Sequence, residues 1–107
     1  DRLLQVLLNL LSNAAKFVPA TGGHVDLRLS TSLQGVWVEV QDNGPGIAPE
    51  NIARVFEPFF TTREIGQGLG LGLSISYRVI EQHGGTLVAE SVVGEWTKMI
   101  FDLPRAT

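Results

Sequence analysis

The chain has 107 residues and a formal net charge of −3, which is the size of one compact domain. With 44% apolar and 18% charged residues and a mean hydropathy of +0.17, it can bury a core, so disorder is excluded as its overall state. The acidic balance argues against a general affinity for nucleic acid or an anionic membrane; the lack of cysteine removes disulfides, thiolate zinc sites and cysteine nucleophiles, and no apolar run reaches the ~20 residues of a membrane span.

Residues 1–17 predict a helix. Leu3, Leu4, Leu7, Leu8, Leu11, Ala14 and Ala15 recur at helical spacing as a wide apolar stripe, and Pro19 to Gly23 stop it. A chain that opens inside its first helix reads as a piece cut from a longer protein. From His24 to Thr31, Val25, Leu27 and Leu29 alternate with Asp26, Arg28 and Ser30; after a turn at 32–35, Val36, Val38 and Val40 alternate with Trp37 and Glu39. This is the pattern of a hairpin with one buried face. Asp42-Asn43-Gly44-Pro45-Gly46 is dense turn chemistry. Pro49 suits the first turn of a short helix running to about Val55 or Phe56. Residues 57–68 read as a loop, 70–83 as a second long helix stopped by Gly84-Gly85, and 86–92 with 97–103 as a closing strand pair. The predicted fold class is α/β of the α+β kind: a two-layer sandwich, with helices on one face of a mixed, mostly antiparallel sheet.

Several residues along this frame carry chemistry. Asn9 and Asn13 lie one turn apart on the first helix, with Lys16 on the same side. A carboxamide oxygen suits a hard cation such as Mg²⁺, and an ammonium suits a phosphate; an amphipathic helix whose polar face merely holds two Asn reads equally well. Asp42 ends a strand. Its carboxylate either caps a backbone N–H in the turn or accepts a hydrogen bond from an exocyclic amine at the mouth of a pocket, and Gly44 and Gly46 admit a close approach to a flat ligand. Gly68-Leu69-Gly70-Leu71-Gly72-Leu73 runs into the second long helix, where free N–H donors and the helix dipole favour an anion. The run has neither the preceding strand of a dinucleotide fold nor the Lys-Ser/Thr of a P-loop. Phe56, Phe59 and Phe60 read first as core. His24 and His83 read as structural, with no neighbouring His or acid at ligand spacing.

Taken in order, these segments resemble the ATP-binding catalytic domain of bacterial sensor histidine kinases, within the wider family of gyrase, Hsp90 and MutL. Gln5 to Phe17, with Asn9, Asn13 and Lys16, is similar to the N box; Asp42 to Ile47 to the G1 box; Phe56 to Phe60 to the F box; Gly68 to Leu73 to the G2 box. His83-Gly84-Gly85 and Leu103-Pro104 also match the usual pattern. The resemblance spans nearly the whole chain, and the run from Phe56 to Gly85 looks closest to the nitrogen-regulation and dicarboxylate-transport sensors.

The resemblance implies a Bergerat-type ATP-binding fold, with ATP and Mg²⁺ as cofactors. It implies that Asn13 ligates the Mg²⁺ with Asn9 in support, that Lys16 neutralises phosphate oxygens, and that Phe17 lines the nucleotide pocket. Asp42 would accept the adenine amine, Gly44, Gly46 and Ile47 would shape that pocket, and Thr97 would join the hydrogen bonding around Asp42. Gly68, Leu69, Gly70, Leu71, Gly72 and Leu73 would meet the phosphates, under a lid from Thr61 to Gln67. Residues 1–107 would be the catalytic domain of a cytoplasmic, membrane-anchored sensor, itself a homodimer. This domain would have no direct membrane contact and no nucleic-acid partner. The acceptor histidine would lie on a separate dimerisation domain, and a response regulator would take the phosphoryl group.

The chain departs from the family's pattern in three places. Gly94-Glu95-Trp96-Thr97 replaces the usual glycine-rich step of the last hairpin, a strand expected before the first helix is missing, and no His-acid acceptor pair occurs. In the hydrolytic relatives, a Glu one turn before the metal-binding Asn activates water. Here that position is Asn9, and a neutral amide takes no proton; the general-base help it forgoes is typically worth ~10²–10⁴-fold. Phosphoryl transfer to histidine is therefore the main reading. An ATP-driven conformational module of the gyrase, Hsp90 and MutL type is the alternative, and a degenerate docking domain a third.

Overall fold

A computed structural model describes residues 2–57 and 71–104, with the side chains of 71 and 72 left aside. The elements follow the predicted order: α1 (Arg2–Phe17), β1 (Val25–Ser32), β2 (Gly35–Asp42), α2 (Pro49–Ile52), α3 (Leu71–Gln82), β3 (Thr86–Val92) and β4 (Trp96–Pro104). The strands form one sheet in the order β1-β2-β4-β3, and every described pairing is antiparallel. The helices pack on one face: α1 lies over β2, α3 over β3, and the two helices touch each other.

Period explains which residues meet. On α1 the buried positions are Val6, Leu10 and Ala14, spaced four apart. On β2 they include Val38 and Val40, spaced two apart. Register aligns Val40 with Met99 and Val38 with Phe101 on β4, and Met99 with Ala89 and Phe101 with Leu87 on β3. Val79 and Ile80 of α3 close the same core. Fully burying a side chain of this kind contributes roughly 1.5–3 kcal/mol, so the core rests on these ladder positions rather than on helix propensity.

Three expectations need correction. The stripe expected on α1 left out Val6 and Leu10, which are buried, and included Leu4, Leu8 and Ala15, which are exposed. Leu27 and Leu29 of β1 share a face with Val40 and Val38, yet they are 49% and 67% exposed. Alternation assigned the face rightly, but β1 is the edge strand and α1 covers its neighbour β2. The short helix is also briefer than expected: α2 ends at Ile52, and single turn bonds carry the chain on, from Arg54 N to Asn51 O and from Glu57 N to Arg54 O. The last hairpin closes despite its unusual sequence, with Gly94 at φ +80° and Glu95 N bonded to Val92 O.

Candidate functional site

The site begins as a row across one end of the sheet. Register sets Asp42 opposite Thr97 and Thr97 opposite Ser91, one step beyond the apolar row of Val40, Met99 and Ala89. The alternation that sends those three toward the helices sends the polar three the same way. Asp42 is 6% exposed and Thr97 8%. The Gly44 N–H donates to Asp42 Oδ1 at 2.8 Å, so the capping role foreseen for this carboxylate is real. It uses one oxygen. The other, Oδ2, receives no hydrogen bond among the described residues, so the side chains of Asp42 and Thr97 are neighbours through the strand pairing and not through a hydrogen bond of their own. Burial raises the Asp42 carboxyl above its ordinary range, and the Gly44 N–H pulls against that shift.

The turn after Asp42 is held on both sides. On one side, Asn43 accepts the His24 N–H at 2.7 Å and donates its own amide to Gly22 O at 2.8 Å. On the other, the Ile47 N–H donates to Ser91 Oγ at 2.6 Å, and the Gly94 N–H to Pro45 O at 2.7 Å. The glycines have a different immediate reason from the one expected. A Cβ on Gly44 would stand 2.8 Å from Phe17 O, and one on Gly46, at φ +77°, would stand 2.6 Å from Val92 O. The space they clear is filled by the protein's own backbone: the end of α1 in one case, the β3–β4 turn in the other. Sequence reasoning missed Asn43 and Ser91. Ser91 did carry a signal, a hydroxyl at an inward position after Leu87 and Ala89.

The helix α1 brings its polar flank to the same region, since Phe17 closes the helix beside Gly44. Asn9 and Asn13 are half-buried on that flank, 40° apart around the axis by helical geometry of about 100° per residue. Neither carboxamide is engaged in a hydrogen bond among the described residues. Lys16 is exposed, Phe17 and Ile47 half-buried. No group of three His, Cys, Asp or Glu suited to a metal exists among the described residues. A hard cation here would take the oxygen of Asn13 with water and ligand oxygens, the coordination Mg²⁺ favours.

The other predicted residues divide by position. Leu73 is half-buried against the core, and Leu71 and Gly72 form the first turn of α3. Gly68, Leu69, Gly70, the segment 61–67, and Phe59 with Phe60 lie outside the described residues. Phe56 stacks on Tyr77 with ring centroids 5.3 Å apart, as a core residue does. His83 is structural, its Nδ1 2.8 Å from Val79 O. His24 does have an acid partner, contrary to expectation: alternate residues of an extended segment share a face, and its Nε2 lies 3.1 Å from Asp26 Oδ1.

Comparison with known proteins adds to this geometry. Residues 1–107 match the family described as histidine kinase-, DNA gyrase B-, and HSP90-like ATPase. The sensor protein ChvG of Rhizobium meliloti (strain 1021) is 48% identical over 98 residues, covering 88% of this chain and 17% of ChvG. The catalytic domain of histidine kinase ThkA, in a nucleotide-free form, superposes with a TM-score of 0.86 at 34% identity, covering 99% of this chain and 69% of that one. Full-length ShkA in complex with AMPPNP gives a TM-score of 0.86 at 40% identity, over 99% of this chain and 22% of ShkA. The chain thus spans about a sixth of the curated relative's length.

Proposed function

The chain belongs to the histidine kinase-, DNA gyrase B- and HSP90-like ATPase family, and on that footing we propose that it is the ATP-binding catalytic domain of a sensor histidine kinase, delivering the γ-phosphate of ATP to a histidine on a dimerisation domain. The observation that carries the nucleotide reading is Asp42: a buried carboxylate at the end of the sheet, with one oxygen capped by Gly44 and the other open to a donor. An adenine amine is such a donor. The AMPPNP complex of ShkA, a protein 40% identical to this chain, supports ATP as the ligand. Asn13 then holds Mg²⁺ with Asn9 behind it. Lys16 reaches the phosphates, which Gly68 to Leu73 bind with their N–H groups. Phe17, Ile47 and Thr97 complete the pocket.

Transfer is favoured over hydrolysis by Asn9. It stands one turn before Asn13 on the same flank, where a water-activating base would be needed, and an amide cannot act as one. Positioning and charge neutralisation do the remaining work. Residues 1–107 form one domain of a longer protein. The phosphoacceptor segment, the homodimer contact, the membrane anchor that would leave this domain in the cytoplasm, and the response regulator that accepts the phosphoryl group all belong to that larger assembly. The nitrogen-regulation and dicarboxylate-transport affinity rests on the Phe56 to Gly85 run alone; ChvG, ThkA and ShkA lend it nothing.

Incubation with γ-labelled ATP tests the reading. The chain alone should show neither self-labelling nor appreciable phosphate release, because losing a placed nucleophile forfeits ~7–11 kcal/mol of barrier reduction. Adding its dimerisation domain should give acid-labile label on that domain. Rapid phosphate release by the chain alone, abolished by Asn13→Ala, would overturn the kinase reading in favour of an ATP-driven conformational module.

A further inference from the structure

Ser91 has no assigned role, yet it is the meeting point of three parts of the site. Its Oγ accepts the Ile47 N–H at 2.6 Å and donates to Trp96 O at 3.0 Å. One hydroxyl therefore bridges the end of the turn that follows Asp42 to the first residue of β4. In the sheet, Ser91 is paired with Thr97, which is paired in turn with Asp42. The bridge runs parallel to that row and closes a ring: Asp42, the turn 43–47, Ser91, Thr97 and back to Asp42. A second strut joins the same two loops, from Gly94 N to Pro45 O. The fit leaves no slack, since a Cβ on Gly46 would stand 2.8 Å from Ser91 Oγ.

We propose that Ser91 is a positioning residue of the nucleotide site, its hydroxyl fixing the turn 43–47 against the β3–β4 hairpin so that the Gly44 N–H keeps Asp42 aimed at the base. The inference rests on the nucleotide reading above. The chain of contacts is short: Ser91 holds Ile47, Ile47 ends the turn, and Gly44 in that turn donates to Asp42 Oδ1. Without the Ser91 acceptor, the Ile47 N–H and the Trp96 carbonyl both lose a partner. The turn then relaxes about its Asn43 end, which is anchored separately to His24 and Gly22. Asp42 would keep its burial but lose its aim. Base recognition should suffer more than phosphate recognition, because the ring lies at the Asp42 end and not at the α1 flank of Asn9 and Asn13.

Calorimetric titration of Mg·ATP and Mg·GTP into wild type, Ser91→Ala, Ser91→Thr and Asp42→Asn tests this. Ser91→Ala should bind ATP about three- to tenfold more weakly, the worth of one ordinary hydrogen bond. It should also lose part of the ATP-over-GTP preference, and Ser91→Thr, which keeps the hydroxyl, should restore both. Amide exchange at Ile47 and Gly44 in the nucleotide-free protein should quicken in Ser91→Ala and not in Ser91→Thr. Should Ser91→Ala not fold, Ser91→Cys, with its weak acceptor, serves in its place. Unchanged ATP affinity and preference in Ser91→Ala, alongside a clear loss in Asp42→Asn, would overturn the role of Ser91 and leave the nucleotide reading standing. Wild type that binds no ATP would overturn both.

Discussion

Replacing Asp42 with Asn separates two consequences of one buried carboxylate. Asn keeps an oxygen for the Gly44 N–H, now 2.8 Å from Asp42 Oδ1, and puts an NH₂ where Oδ2 stands. A base amine would then face a donor instead of an acceptor. Hydrogen bonds to charged groups are worth ~1.5–3 kcal/mol, so affinity for Mg·ATP should fall roughly ten- to a hundredfold. Stability should move the other way. Burial raises the folded-state pKa of Asp42 above its ordinary 3.8, so the folded chain holds this proton more tightly than the unfolded chain does. Below the unfolded value both states are protonated and nothing is lost. As pH climbs from there through the raised folded value, ionisation destabilises the fold, and the full cost is present at neutral pH. Asp42→Asn should therefore melt higher than wild type at pH 7, and the gap should close on acidification through that window. Calorimetric titration and thermal melts between pH 3 and 8 read both effects. Equal ATP affinity in the two proteins would refute the assignment to the base, and a lower melting temperature for Asp42→Asn at pH 7 would refute the account of the burial cost.

Asn13→Ala should abolish the Mg²⁺ dependence of nucleotide binding while leaving the melting temperature close to that of wild type, since the side chain is half-buried and makes no hydrogen bond among the described residues; an unfolded variant would show Asn13 to be structural. Ser76 is fully buried on α3, and its hydroxyl has no hydrogen-bond partner among the described residues. Ser76→Ala should thus leave stability unchanged or raise it, against the ~1–3 kcal/mol that an unsatisfied buried polar group costs; a denaturant midpoint shifted downward by more than the equivalent of about 1 kcal/mol would refute that.

The fold was legible where one period dominated. The valines of β2 bury one side against a neighbour, and period fixes the side; on α1 the helix was legible but its buried face was not, because so many leucines surround the axis that Val6 and Leu10 do not stand out. It was less legible where partners at long range decide. Nothing local in Leu27 or Leu29 says that β1 is an edge strand and that α1 passes over the next strand along. The site divides in the same way. Asp42, Asn9 and Asn13 stand out because they are polar groups next to apolar runs. Ser91 and Asn43 do not, because each acts through a residue about twenty or more positions away: Asn43 through Gly22 and His24, Ser91 through Ile47. Gly44 and Gly46 were found for an incomplete reason. Their missing side chains first make room for Phe17 and Val92, and any room for a ligand follows from how that packing places the turn.

The same region collects the features that work against stability. Asp42 is a carboxylate buried at the cost of solvation, two carboxamides stand half-buried without partners among the described residues, and Gly46 takes a left-handed φ that another residue would adopt only under strain. These costs fall at one end of the sheet, while the Val38–Val40 and Met99–Phe101 ladder at the centre carries the core. A chain selected for stability alone would place an apolar residue at 42, as it does at 38 and 40. Keeping an acid there, and then tying its turn down through Asn43 on one side and Ser91 on the other, makes physical sense if the open oxygen of Asp42 must meet a donor in a fixed direction. Ligand binding would supply that donor and repay the desolvation in the complex. Nucleotide should therefore stabilise wild type by more than it stabilises Asp42→Asn at equal free nucleotide concentration, because stabilisation grows with the ratio of free ligand to Kd, and only in wild type does the ligand lower Kd by cancelling a cost already present in the empty protein.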